Sequence, residues 1–226
     1  FATPEQLEWY ALMAVDKSDN IMSICRDVPH DSILDVGAGD GAVLNRLDRL
    51  DFGTRLCAVD ISESGLRALK SKAWKHLEEG RPFDGYAIPY PDQSFDLVVL
   101  SHVIEHVEHP RILLREAARV GRHVYIEVPL EFNRTNRRLK GDFKIDATGH
   151  INFYNPALIR LLIQSSGLNV LRQEVRHFTP KAYTRGRGRK GMLNYWIKET
   201  ALRLNRGFAS TWFNYHCGIL CKRESV

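Results

Sequence analysis

The chain has 226 residues, with 32 Lys plus Arg against 27 Asp plus Glu for a formal charge of +5, and it is 44% hydrophobic. That length suits one α/β domain with appendages rather than two domains with thin cores. No apolar run approaches the roughly 20 residues that span a bilayer, and the opening residues lack the basic start and cleavage site of a secretory signal. The four cysteines (Cys25, Cys57, Cys217, Cys221) form no C-x-x-C pair, so free buried thiols in a cytoplasmic protein are expected.

The first segment, "TPEQLEWYALMAVDKSDNIMSIC", opens with Thr3 as a helix N-cap, Pro4 at the first helical position and Gln6 three residues after the cap. Residues 1–30 are expected to form a helical extension that lies over the site or packs on the sheet. The apolar runs "SILDVG" (Ser32 to Gly37), "RLCAVD" (Arg55 to Asp60), "FDLVVLS" (Phe95 to Ser101) and "HVYIEVP" (His123 to Pro129) read as strands. They alternate only partly, as strands covered on both faces do. Between them "GAVLNRLDRL", "SESGLRALKSKAWKHLEE" and "HPRILLREAARV" are apolar at helical spacing. This order of strand and helix predicts a parallel sheet wound on both sides. A further helix from about Pro156 stops at Gly167, a strand follows, and "WFNYHCGILCKRE" reads as the closing strand.

"LDVGAGDGAVL" (Leu34 to Leu44) puts a glycine turn behind the first strand. Its spacing, Gly37-x-Gly39-x-Gly41, is one residue short of the dinucleotide fingerprint. Asp40 would repel a pyrophosphate there. A cofactor without phosphate and with a cationic centre fits better, which describes S-adenosylmethionine. The second strand ends at Asp60, where an acid can accept both ribose hydroxyls. Asp35 is either a partner of the methionine ammonium or a stabiliser of the turn.

With these elements in order, the chain resembles the class I S-adenosylmethionine-dependent methyltransferases over roughly Asp31 to Lys222, in their type 11/23-like, small-molecule branch. "LDVGAGDG" matches that family's first motif, and "FDGYAIPYPDQSFDLVVLSHVIEHVEHP" (Phe83 to Pro110) its later one. "GHINFYNPALIRLLIQSSGL" resembles the segment after the fifth strand in that branch. The resemblance implies a Rossmann-like seven-stranded sheet, mostly parallel with an antiparallel last strand, "YHCGILCKR". It also implies a domain over 31–226 and a cofactor site of Asp35, Gly37, Gly39, Asp60, Ile61, Asp84, Gly85 and Ser101, with Asp84 toward the adenine amino group.

"SHVIEHVEHP" places His102, Glu105, His106 and His109 where the fourth strand opens toward the cofactor, and His150 can return to the same mouth. Three readings compete: loop packing, a general base at His102 or His150, and a divalent metal site. Small-RNA 2′-O-methyltransferases and ubiquinone-pathway O-methyltransferases resemble this pattern with Glu-x-x-Glu-His. Here His102 replaces the first Glu, which favours the base over the metal. The expected catalytic residues are therefore His102, His106 and His150, with no metal.

Residues 179–213 exceed what this fold needs before its last strand. They hold the basic run "YTRGRGRKG", then Leu193, Trp196, Ile197, Thr200, Ala201 and Leu204 at helical spacing. A helix packed on the domain with a solvated basic face is expected. A lid or homodimer contact, a membrane surface and, last, RNA rank after it. A second basic cluster lies in "NRTNRRLKGDFK" (Asn133 to Lys144). The expected activity is methyl transfer to an O or N atom of a small-molecule acceptor, with an anionic group suited to the basic clusters. DNA is not an expected partner. A nucleic-acid methyltransferase acting on RNA, or a cofactor-binding protein without turnover, is the alternative.

Overall fold

The computed structural model describes residues 4–136 and 149–224, with side chains from residue 8 onward. The cap expected at Thr3, and the second basic cluster from residue 137, lie outside the described residues.

Helix α1 (Pro4–Cys25) precedes β1 (Ser32–Val36), α2 (Ala42–Arg49), β2 (Arg55–Asp60), α3 (Glu63–Lys70), β3 (Leu77–Pro82) and β4 (Phe95–Ser101). Then come α4 (Pro110–Val120), β5 (Gly121–Pro129), α5 (Pro156–Gln164), β6 (Leu168–Arg176), α6 (Pro180–Thr184), α7 (Gly188–Leu204), α8 (Arg206–Trp212) and β7 (His216–Arg223). The strands form one seven-stranded sheet in the order β3-β2-β1-β4-β5-β7-β6. β7 runs antiparallel to both β5 and β6, and the other neighbours are parallel. This is the Rossmann-like, doubly wound sheet with an antiparallel last strand.

Both faces are covered, which explains the weak alternation of the strands. On one face Ile33, Leu97 and Val99 pack with Ile21 and Ile24 of α1 and Leu44 and Leu47 of α2. On the other, Leu34, Val98 and Leu100 meet Leu113 and Leu114 of α4 and Ile159 and Ile163 of α5. All four cysteines are buried and free. Among the described residues no helix is long and apolar enough to cross a membrane.

Two expectations fail. The helix expected through Glu79 ends at Lys70, and Leu77–Pro82 is the edge strand β3. The Trp74 indole donates to the Leu69 carbonyl at 3.0 Å, and the Asp48 carboxylate accepts from the Lys75 and His76 amides at 2.7 and 2.9 Å. These contacts turn the chain where no glycine or proline announces a stop. The second failure is in the late insertion, which forms three helices rather than one. Helix α7 also faces the opposite way from the expected packing. Gly191 and Lys198 face the domain, with Gly191 against the Tyr183 carbonyl and the Lys198 carbonyl accepting from the Tyr215 hydroxyl at 2.8 Å. Leu193, Trp196, Ile197 and Leu204 are exposed instead. The inward face is set by that close backbone approach at Gly191, which a side chain there would block.

Candidate functional site

The glycine turn is built by positive φ at Gly37, Gly39 and Gly41 (74°, 55° and 72°), a region costly to residues with a Cβ. The amides of Gly37 and Ala38 donate to the Val59 carbonyl at 2.8 and 3.3 Å, joining the turn to β2. Asp60 at the end of that strand is buried, and its carboxylate accepts from the Gly39 amide at 2.6 Å and the Ser62 amide at 2.7 Å. Ser62 Oγ in turn caps α3 through the Gly65 amide at 3.1 Å. A Cβ at Gly37 would come within 2.7 Å of Val103, whereas one at Gly39 meets nothing within 4 Å. The turn thus keeps an open shelf above Gly39, where a ligand can approach the backbone.

Ile61 and Gly85 lie close together beyond Asp60; a Cβ on Gly85 would lie 3.7 Å from Ile61 Cγ2. Asp84 is exposed, and its Oδ1 accepts from the Tyr86 and Ala87 amides, which holds its carboxyl below the usual range. On the other side of the turn, a cavity of about 160 Å³ is lined by Asp35, Gly37, Asp40, Ser101, Tyr10 and Lys17, among others. Burial, with the Asp60 carboxylate nearby, pushes the Asp35 carboxyl up to about 7 against the pull of Lys17. Burial lowers the Lys17 ammonium, while Glu127, Glu105 and Asp35 oppose that shift. The lining carries two acids, Asp35 and Asp40, and one base, Lys17, a set that suits the ammonium and carboxylate of an amino-acid end. The shelf above Gly39 and this charged set both fit S-adenosylmethionine.

A larger cavity of about 580 Å³ shares Tyr10, Met13 and Lys17 with the first and adds His102, His150, Glu131, His216 and the basic Arg185, Arg187 and Lys198. Trp9, Phe178, Tyr183 and Tyr215 give it an aromatic lining. His102 has a φ of 61°, uncommon for a residue with a Cβ, and its amide donates to the Glu127 carbonyl at 2.9 Å. Its Nε2 lies 3.1 Å from His216 Nδ1, and its Nδ1 lies 3.1 Å from Glu105 Oε1. Glu105 is fully buried, its carboxyl oxygens have no hydrogen-bonded donor, and burial pushes it up to about 7. Burial also holds both imidazoles well below their usual range, with Lys17 and neighbouring histidines adding to the effect. Burial therefore keeps the His102 ring neutral at pH 7, the form that accepts a proton.

Of the three expected catalytic histidines, His102 and His150 reach the larger cavity. His150 Nδ1 is 2.7 Å from Glu131 Oε2. His106 is exposed and outside the cavity lining; its Nδ1 is 3.2 Å from the Gly149 carbonyl, and its ring packs edge-on against His150 at 4.8 Å. Glu105, His106 and His150 bring ligand atoms within 4.8 Å of one another, as do His102, Glu127 and His216. Ser101 lines the smaller cavity and donates to Glu127 Oε2 at 3.2 Å. Sequence reasoning missed Lys17 and His216. Lys17 did leave a signal, as a charge on the helical stripe that carries Met13, Ile21 and Ile24.

Residues 12–173 match the family model described as a methyltransferase domain. The chain belongs to that family. This methyltransferase domain uses S-adenosylmethionine, the family's methyl donor. It is 34% identical over 89 residues to the malonyl-[acyl-carrier protein] O-methyltransferase of Halorhodospira halophila, covering 39% of this chain and 30% of that protein. It is 30% identical over 128 residues to the ubiquinone/menaquinone biosynthesis C-methyltransferase UbiE of Rickettsia bellii, covering 52% of each. These matches span about a third to a half of the relatives' own length. Its fold is shared with a SAM-dependent methyltransferase from Aquifex aeolicus (TM-score 0.60, 16% identity, 98% of both chains). The [4+2]-cyclase SpnF shares it too (TM-score 0.65, 14% identity, 92% of this chain and 81% of that one). A fold common to these proteins does not by itself assign a reaction.

Proposed function

We propose that the chain transfers a methyl group from S-adenosylmethionine to an oxygen or nitrogen atom of an anionic small molecule held in the 580 Å³ cavity. One observation carries this reading. Consecutive residues at the end of β4 line different cavities, Ser101 the smaller one with the glycine turn and His102 the larger one with the histidines. The left-handed backbone at His102 turns the chain between them. Donor and acceptor would therefore meet beside a single peptide unit.

The bound cofactor supplies a methyl group already activated by a positive sulfur. The remaining tasks fall to the chain. Asp35 and Lys17 hold the amino-acid end, Asp60 the ribose, and Ile61 and Gly85 the adenine. Helix α1 excludes water from above through Tyr10 and Met13, which line both cavities. Holding the reacting atoms roughly 3–3.5 Å apart supplies much of the acceleration. For a hydroxyl acceptor, the neutral His102–His216 pair takes the proton, with the Glu105 carboxyl 3.1 Å from His102 Nδ1 beside it. Arg187 and Lys198 suit a carboxylate or phosphate on the acceptor, because Arg187 has no acidic partner among the described residues.

The test is incubation with isotopically labelled methyl donor and a small-molecule extract of the source cells, read by mass spectrometry. Label in an anionic small molecule is the expected result. Tight binding of the demethylated product with no label transferred to any small molecule would overturn the reading.

A further inference from the structure

We propose that the outward face of α7 and α8 docks the protein on an anionic phospholipid bilayer. Helix α7 (Gly188–Leu204) presents Met192, Leu193, Trp196, Ile197 and Leu204 to solvent, with Leu193 63%, Trp196 53% and Leu204 81% exposed. At 100° per residue these five positions fall within a single half of the helix, and Arg189, Lys190 and Arg203 share that half. Phe208 and Trp212 of α8 are exposed as well, and the Arg134 guanidinium sits 5.4 Å from the Trp212 ring. The opposite half of α7 is the one that meets the domain, through Gly191 and Lys198.

Charge selects the occupant. The outward half of α7 carries three basic residues (Arg189, Lys190 and Arg203) and no acid, and Arg206 opens α8. Glu199 is turned inward onto His177 and also holds Arg203. A second copy of the chain would set this basic face against itself, which like-charge repulsion opposes. RNA would meet the arginines, but it offers nothing to exposed leucine, isoleucine and methionine side chains. An anionic bilayer satisfies both sets, since aliphatic and indole groups enter the acyl boundary while arginines and lysines stay at the headgroups. Arg185 and Arg187, from the loop that leads into α7, are in the wall of the larger cavity. Docking would bring that mouth to the lipid interface. The inference stands on the exposed face alone and does not depend on the methyl-transfer reading.

Cosedimentation of the full chain with phosphatidylcholine vesicles, with and without phosphatidylglycerol, tests it. Binding is expected only with phosphatidylglycerol. Both L193S/W196S and R189E/K190E should lower the partition coefficient at least tenfold, since each basic group near such a surface is worth about fivefold. These side chains are exposed, so melting temperature and S-adenosylhomocysteine affinity should stay at wild-type values and report an intact fold. Absence of cosedimentation, or equal cosedimentation by the variants, would overturn the proposal. So would a dimer in light scattering that L193S/W196S abolishes, or RNA binding removed by R189E/K190E without any vesicle binding.

Discussion

His102 Nε2 lies 3.1 Å from His216 Nδ1, although the two residues are 114 positions apart in the chain. The contact joins the end of β4 to the start of β7, and both rings line the larger cavity. With both imidazoles neutral, one nitrogen of the pair carries the shared proton and another is left to accept one from the acceptor. His216→Ala should therefore lower turnover about 10²–10⁴-fold while cofactor affinity is unchanged, measured by steady-state kinetics beside calorimetry. Chelator should leave the rate untouched. Loss of activity with chelator and rescue by a divalent cation would move the chemistry to a metal held by Glu105, His106 and His150 or by His102, Glu127 and His216.

Much of the candidate cofactor site is legible in the sequence because it is local. The strand, the glycine turn and the acid ending the next strand sit within 30 residues, and backbone geometry alone requires their order. The His102–His216 pair is half legible: His102 stands beside a strand end, whereas His216 is brought in only by the pairing of β5 with β7. Strand β3 hid behind a helical apolar rhythm, since Leu77 follows Leu66, Leu69 and Trp74, and its edge position tolerates Glu78 and Glu79. The rhythm of α7 was visible, but not its direction. Periodicity finds an apolar face without saying what covers it.

Buried Glu105 makes stability depend on pH in a known direction. Its folded-state pKa of about 7 lies above the usual carboxylate range, so the folded chain favours the protonated form. That contribution is complete at pH values below the usual carboxylate range and is lost as pH rises through about 7. Melting curves should show the wild type losing stability relative to Glu105→Gln over this interval. Parallel curves for the two proteins would show that the carboxyl is not raised.

Asp60 holds two backbone amides, and the proposed function sets it against the ribose. Asp60→Ala should weaken S-adenosylhomocysteine binding by about 1.5–3 kcal/mol, roughly tenfold to a hundredfold. It should also lower the melting temperature, because the Gly39 and Ser62 amides lose their acceptor. Calorimetry and thermal unfolding together read both effects, and an unchanged affinity would remove Asp60 from the cofactor site.

Arg187 tests the charge of the acceptor separately from the donor. Arg187→Glu should raise KM for the acceptor at least tenfold and leave the affinity for S-adenosylhomocysteine at its wild-type value. An unchanged acceptor KM would argue for a neutral substrate.

The most direct test of the account is calorimetric titration of the wild type and Gly39→Ala with S-adenosylhomocysteine. The space above Gly39 is open, so the added methyl group meets the ligand and not the protein. Its left-handed φ costs roughly 1–2 kcal/mol, a fall of about 2–8 °C in melting temperature that leaves the chain folded. The account predicts one tight site per wild-type chain and at least a tenfold loss in the variant. Equal binding by both proteins, or no binding by the wild type, would contradict it.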